Sequence, residues 1–267
     1  MRDIVDTLHE DAARTGPVDP VERAKELARR ELPKRFYTAA TAAPAEGGFA
    51  VLLDGRAVRT PGKKALVLAS KRLAEAVAAE WAAQEGVINP ATMPLTRIAN
   101  AAIDGVAERF AAVADEIAAY AGNDALCYRA GEPARLVERQ TALWDPILEE
   151  TGRALGGRFV LACGLMPVVQ PAPLVAGFRA ALERFSGLEL AALSTVTSLT
   201  GSAVLALALA EGRLTADAVW TAAHVDEDWN AEQWGEDAEA TRVRAAKRAE
   251  FDAAALILAD GGAEADA

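Results

Sequence analysis

The 267-residue chain has only two cysteines and two histidines, which limits the chemistry it can support. Cys127 and Cys163 form no CxxC pair and are too few for a disulfide scaffold. We therefore expect both thiols to be small apolar core residues in a reducing compartment. A reactive role for Cys127 is disfavoured because only Arg129 lies near it as a basic partner. His9 and His224 offer little material for a metal site or a Ser-His-Asp triad.

Basic residues are also few, with 28 Lys and Arg against 39 Asp and Glu and a formal net charge of -11. This balance argues against a nucleic-acid partner, since a phosphate backbone demands clustered cations, and against an anionic membrane surface. Residues 190–210 carry no charge and would be long enough to cross a bilayer. Six hydroxyl side chains in that run, with no flanking Trp or Tyr, favour a buried central helix instead.

Common enzyme signatures are missing as well. The chain contains no GxxxxGK[ST] loop, no GxSxG elbow, no HExxH, and no GxGxxG after a strand. We expect no catalytic residues, no bound metal and no cofactor. The N-terminus lacks the apolar run of a secretory signal and carries acids that transit peptides avoid, so the expected location is a bacterial cytoplasm.

What the chain does contain is an α+β pattern that begins with a small antiparallel sheet. Residues 1–32 are predicted to be an arm, residues 33–90 a small β-rich domain and residues 91–267 a helical domain. A first strand is expected at Phe36-Tyr37. Residues 49–53 and 56–60 flank Asp54-Gly55, a hairpin signal, and residues 65–68 add another short strand.

Helical spacing and capping residues then predict a series of helices. Ser70 is a plausible N-cap for the first, and Pro94 suits the first turn of the second. One extra strand is expected at residues 158–163. The predicted helices cover residues 71–85, 94–102, 106–121, 133–154, 173–186, 190–210 and 215–258.

The densest charge feature is the run Asp226-Glu227-Asp228 on the last predicted helix. Carboxylates of this kind could hold a hard divalent cation, but nearby arginines also allow i,i+4 pairing on a solvated face. Trp229 and Trp234 lie among these acids and are typical of packing or of an interface. A solvated or partner-facing surface is the favoured interpretation.

Residues 80–104 form a predicted helix–loop–helix corner with awkward polar residues, Asn100 and Asp104, one turn apart. Together with motifs before and after it, this corner resembles a family of ATP synthase assembly chaperones, found in mitochondria and alphaproteobacteria, that act on the alpha subunit. The likeness runs from Arg35 to about Phe251. Its motifs are Phe36-Tyr37, Leu53-Asp-Gly-Arg56, Thr60-Pro61, Glu80-Trp81, Gln84, Ile88, Pro90, Met93-Pro-Leu-Thr96, Asn100, Ile103-Asp104, Asp124-Ala-Leu-Cys-Tyr-Arg129, Gln140, Trp144-Asp-Pro146 and Trp234-Gly235.

The resemblance implies a non-catalytic protein that binds the free alpha subunit, covers its subunit interface and prevents aggregation without nucleotide. It also implies a functional carboxylate just before Trp234-Gly235, within residues 226–228, and a mitochondrial-matrix location for eukaryotic members. The expected partner-binding residues are Asp226, Glu227, Asp228, Trp229 and Trp234. The motif residues expected to be structural are Asp54, Gly55, Arg56, Trp81, Met93, Pro94, Thr96, Asn100, Asp104 and Trp144.

Two alternatives remain at the level of sequence. The chain could be a helical adaptor for another protein partner. It could also be a metal-dependent hydrolase that uses the acidic helix, in which case Asp226→Ala or Glu227→Ala would abolish activity.

Overall fold

The computed structural model describes residues 32–164 and 167–265, with side chains as far as Gly261. The chain packs as two compact units, one ending at Asp104 and the other beginning at Gly105. The expected α+β class is confirmed: a small antiparallel sheet comes first and a multi-helical region follows. The predicted arm lies outside the described residues except for Leu32. The predicted domain limits at residues 33–90 and 91–267 stay predictions.

The first unit is built on four short antiparallel strands: β1 (Ala40–Ala45), β2 (Gly48–Leu53), β3 (Arg56–Ala57) and β4 (Val67–Leu68). Strand β2 pairs with the other three. The predicted hairpin is confirmed, since Asp54 and Gly55 link β2 to β3 with φ angles of 46° and 78°. Both angles are positive, as a type I′ turn requires.

The predicted strand at Phe36-Tyr37 is wrong, and β1 lies a few residues later. The Tyr37 hydroxyl instead donates a hydrogen bond of 2.7 Å to the Trp81 carbonyl oxygen. The alanine-rich sequence of β1 has weak β-propensity and pairs because β2 offers it a partner.

Helix α1 (Lys71–Ala82) covers one face of this sheet. Ser70 caps it as predicted, because its hydroxyl accepts a hydrogen bond from the Leu73 amide at 3.3 Å. A 3₁₀ turn (Pro90–Thr92) leads to α2 (Pro94–Ala101), which continues into a π-helical turn (Ala102–Val106).

Helices α3 (Ala107–Ala121), α4 (Ala134–Ala154), α5 (Ala172–Ala181), α6 (Gly187–Thr200) and α7 (Ala203–Ala210) form the body of the second unit. The predicted burial of residues 190–210 is confirmed, but the predicted single helix is wrong. Gly201 takes a left-handed φ of 68° and ends α6. The Ser202 hydroxyl then accepts the Leu205 amide at 3.0 Å and starts α7.

The predicted long helix over residues 215–258 is also wrong, because it is three helices: α8 (Ala216–Ala223), α9 (Val225–Trp234) and α10 (Ala238–Ala265). The chain leaves helical geometry at His224, with φ of -111°, and at Gly235, with φ of 87°. The second half of α10 packs on α6 and buries Phe251.

Of the strand predicted at residues 158–163, only β6 (Ala162–Cys163) forms, and it pairs in parallel with β5 (Tyr128–Arg129). The side-chain amide of Gln170 accepts a hydrogen bond from the Val160 amide and donates one to the Val160 carbonyl, both at 2.8 Å, so it occupies the backbone groups that a neighbouring strand would need.

The structure places the two cysteines differently. Cys127 is buried as predicted. The prediction that Cys163 lies in the core is wrong: its side chain is exposed, because successive residues of a strand face opposite sides.

Within residues 32–164 and 167–265, no helix combines the length and apolar composition that crossing a bilayer requires.

Candidate functional site

Helix α9 and the first half of α10 form an exposed helical hairpin, defined here as residues 225–247. Val225 is the only residue of α9 whose side chain is buried, and most positions from Ala238 to Lys247 are exposed. The sequence explains this exposure, since α9 carries three acids in its first turn and presents no continuous apolar stripe. Carboxylates at a helix N-terminus are favoured by the helix dipole.

Two of the three predicted carboxylates hold the hairpin in place. Asp226 accepts a hydrogen bond of 2.7 Å from the side-chain amide of Gln140 on α4. Asp228 forms an ion pair of 2.5 Å with Arg244, which joins α9 to α10. These two acids therefore position the hairpin, and one carboxylate oxygen of each already has a partner inside the protein.

The third carboxylate, Glu227, projects from the hairpin, and its side chain is 58% exposed. One of its carboxylate oxygens lies 3.8 Å from Nε2 of the His224 ring. His224 itself is buried, stacked on Trp220 at 3.9 Å between ring centroids. The structure thus separates Glu227 from its two neighbours, which the sequence alone could not do.

A groove of about 690 Å³ runs between α9 and α10, and Glu227 lies on its wall. Trp234 also lines it and, at 79% exposed, is the most exposed aromatic side chain of the described residues. Val243, on the opposite wall, is 46% exposed. Trp229 is half-buried and does not line the groove. The predicted residues Glu227 and Trp234 are therefore brought together.

Sequence reasoning missed the α10 wall of the groove, formed by Ala240, Val243, Arg244 and Lys247. Their spacing of three, four and seven residues was a usable signal for one helical face. Their position opposite Trp234 depends on the turn at Gly235, which no periodicity reveals.

The structure gives no support to a metal site on the acidic helix. In the part of the chain that the structure describes, no three or more Cys, His, Asp and Glu side chains gather as metal ligands would. A reactive Cys127 is equally unsupported, because burial, reinforced by the nearby Asp124 carboxylate, raises the pKa of its thiol to about 12.

The motif residues of the first unit make internal contacts. Asp54 accepts hydrogen bonds from the Ala39 amide at 2.8 Å and from Thr38, and these donors lower its pKa. Gly55 completes the turn at positive φ, and Arg56 opens β3 with an exposed side chain. This cluster fixes the start of the sheet.

Glu80, beside Trp81 on α1, caps the N-terminus of α2 with its side chain. Its carboxylate accepts the Leu95 amide at 2.7 Å and both the amide and the hydroxyl of Thr96. Burial raises the pKa of Glu80, an effect that the Thr96 hydrogen bonds oppose. Met93, 2% exposed, is the N-cap residue, and Pro94 occupies the first turn without needing an amide partner.

Asp104 binds the second turn of the sheet. Its carboxylate accepts the Thr60 hydroxyl at 2.6 Å and the Gly62 amide at 2.8 Å. A Cβ on Gly62 would lie 2.6 Å from an Asp104 oxygen, so a larger residue there would displace the Asp104 carboxylate. The indole nitrogen of Trp81 and the side-chain oxygen of Asn100 are buried without a hydrogen-bond partner.

In the second unit, Trp144 is buried in α4 and its indole nitrogen donates to the Ala222 carbonyl of α8 at 2.8 Å. The Arg129 guanidinium lies 5.1 Å from its ring centroid and pairs with Asp145 at 2.6 Å. Trp144 thus anchors α8, which leads into the exposed hairpin.

Comparison with known proteins gives a consistent result. Residues 34–152 match the model of a family described as ATP12 chaperone protein. A solved structure from Agrobacterium tumefaciens, of a candidate chaperone, is 50% identical with a TM-score of 0.80 over 91% of this chain and 91% of that one. Atp12 from Paracoccus denitrificans is 38% identical with a TM-score of 0.76 over 85% of this chain and 97% of that one. A variant of the Paracoccus protein, with one aspartate replaced by lysine, matches equally well.

Proposed function

The chain belongs to the ATP12 chaperone family, and on that premise we propose that it binds the free alpha subunit of ATP synthase during assembly. In this role it covers the surface through which the alpha subunit later meets its neighbours. An unassembled subunit exposes apolar surface that aggregates, so a temporary cover keeps it competent for assembly.

The observation that carries this proposal is the exposed Trp234 beside Glu227 in the groove of the helical hairpin. An exposed aromatic side chain that lines a groove is available for burial by a partner, and tryptophan is enriched among residues that dominate binding energy. We propose the groove as the main contact for the alpha subunit, with Asp226, Asp228 and Trp229 supporting its shape.

The proposed role is non-catalytic and needs no nucleotide. Its support is the family of chaperones to which the chain belongs, together with carboxylates that pair with Gln140 and Arg244 rather than surrounding a reactive centre. The proposed place of action is the bacterial cytoplasm, or the mitochondrial matrix in a eukaryote, where the free Cys127 and Cys163 would stay reduced.

Co-purification with isolated alpha and beta subunits tests the proposal. Wild-type protein should retain alpha and not beta, and a Glu227→Gln, Trp234→Ala double variant should retain much less alpha. Gln233→Ala is the matched control, since Gln233 is exposed on the same helix and does not line the groove. Retention of neither subunit, with another protein bound instead, would replace this role with that of a general adaptor.

A further inference from the structure

The two walls of the hairpin groove present matching helical stripes. On α9 the lining residues Glu227, Asn230, Ala231 and Trp234 are spaced by three, four and seven residues. On α10 the same spacing joins Ala240, Val243, Arg244 and Lys247. Side chains at this spacing form the face that a helix turns toward a neighbouring helix. Two such faces that border one groove form a binding surface for a third helix.

The backbone of the hairpin decides between a helical and an extended occupant. An added strand binds by pairing with the free amides and carbonyls of a sheet edge. Helices α9 and α10 satisfy their own backbone groups, so the groove between them provides no such edge. An extended segment would leave its own polar backbone facing the apolar surface of Trp234 and Val243. The backbone amides and carbonyls of a helix are already hydrogen-bonded to one another, so a helical occupant avoids this cost.

The charged residues that line the groove indicate the sign of the charge that its occupant should carry. Glu227, Glu236 and Asp237 line the groove as acids. Against them stand Arg244 and Lys247, and Arg244 is already paired with Asp228 at 2.5 Å. The unbalanced charge of the groove is therefore negative, in keeping with the net charge of -11 for the chain. A basic occupant is attracted and an acidic one is repelled.

The length of the groove limits how much of the occupant it holds. From Glu227 to Trp234 the α9 wall advances seven residues, which is about 10 Å, or two helical turns. A volume of about 690 Å³ accommodates the side chains of one helical face and leaves the rest of the helix outside.

We propose that the groove binds an amphipathic helix of the client, with an apolar stripe of about two turns against Trp234 and Val243 and a lysine or arginine beside Glu227. This inference rests on the proposed chaperone function and specifies the segment of the alpha subunit that the groove takes. An assembly chaperone that holds a helix with an exposed apolar face shields the kind of surface that causes aggregation.

Titration with designed helical peptides tests this inference directly. The probe is a leucine–lysine amphipathic peptide of about four turns, compared with a leucine–glutamate peptide and a lysine peptide interrupted by proline. Tryptophan fluorescence and isothermal titration measure binding to the full chain. The lysine helix should bind best, and Trp234→Ala should weaken it by at least about tenfold. Glu227→Lys should weaken it several-fold at low salt, and Gln233→Ala should leave it unchanged.

Equal binding of the proline-interrupted or the glutamate peptide would overturn the inference, as would full binding by Trp234→Ala. Circular dichroism of each variant establishes that it is folded, which the exposure of Trp234 leads us to expect. The same variants are assayed with isolated alpha subunit. If wild-type protein captures alpha and Trp234→Ala does so equally well, the groove inference fails and the function stands. If the lysine helix binds the groove but alpha is not captured, the client assignment fails and the groove inference stands.

Discussion

Two pairs of helices in the second unit contrast sharply in what surrounds them. In α6 and α7 most side chains are buried, and Ala203 to Ala208 have at most 1% exposure. In α9 and the first half of α10, most side chains face water. Both regions are rich in alanine, so helix propensity does not distinguish them. The difference lies in the intervening residues, which are leucine and valine in α7 and charged in the hairpin.

The contrast assigns different tasks to the two pairs. Burial of α6 and α7 supplies the hydrophobic stabilisation that holds the unit together. The hairpin contributes little burial of its own and is held against α4 by Gln140 and Arg139, which contact Asp226 and Glu232. Substitutions in the core should therefore change stability, whereas substitutions in the groove should change binding.

The largest predicted effect on stability comes from shortening a core side chain. Leu205→Ala, at a fully buried position of α7, should lower the free energy of unfolding by about 2–5 kcal/mol, since it removes apolar contacts and leaves a cavity. Val243→Ala is the matched substitution in the groove and should cost less than about 0.5 kcal/mol. Urea unfolding of both variants measures the difference, and similar losses would remove the distinction between the two regions.

The next effect depends on pH and concerns Asp124, which holds the start of α7 by accepting the Val204 amide at 2.9 Å. Burial raises the pKa of this carboxyl to about 6 from 3.8, against the opposing effect of its hydrogen bonds. Between these values the folded protein keeps a proton that the unfolded chain releases, so this group's contribution to stability falls as pH rises. The full change is about 3 kcal/mol.

Asp124→Asn isolates that contribution because asparagine does not titrate. The unfolding free energy of wild type minus that of the variant should decrease by about 3 kcal/mol from pH 3.5 to pH 7. Chemical denaturation across this range measures it. A difference that is constant, or that increases with pH, would contradict the raised pKa.

A smaller effect is expected at the break between the two core helices. Gly201→Ala puts a side chain on a residue with φ of 68°, which should cost about 1–2 kcal/mol. Gly212→Ala is a useful comparison, since Gly212 has φ of 67° and a Cβ there would contact nothing within 4 Å. Thermal unfolding of both variants tests whether the turn conformation alone accounts for the loss.

The smallest effect on stability should come from the ion pair within the hairpin. Arg244→Ala removes a partly exposed pair with Asp228 and should cost about 0–1 kcal/mol, less at high salt. Capture of the alpha subunit should fall more than stability does, because the pair joins the two walls of the groove. A loss of several kcal/mol would show that the hairpin is part of the folding core.

Local sequence signals predicted a good part of this structure. Asp54-Gly55 marked a hairpin and Ser70 marked a helix start, because each depends on neighbouring backbone groups alone. The breaks at Gly201 and Gly235 were not predicted, although glycine is a common helix terminator, since the periodic pattern on either side suggested continuity. The break at His224 carries no glycine or proline signal at all.

The candidate site was predicted only in part for a related reason. The run of acids pointed to the helix that carries the candidate site, but the separate positions of Asp226, Glu227 and Asp228 depend on partners far along the chain. Gln140 is 86 residues from Asp226 in sequence. No local pattern reveals which carboxylate a distant side chain engages, so only the folded chain distinguishes Glu227 from its neighbours.

The central claim is that the exposed hairpin groove protects the alpha subunit of ATP synthase. Light scattering of isolated alpha subunit under aggregating conditions tests this claim most directly, with wild-type protein, Trp234→Ala and the control Gln233→Ala added at equal concentration. Wild type and Gln233→Ala should suppress aggregation, and folded Trp234→Ala should lose most of that protection. Unchanged aggregation with wild-type protein, or full protection by Trp234→Ala, would contradict the claim.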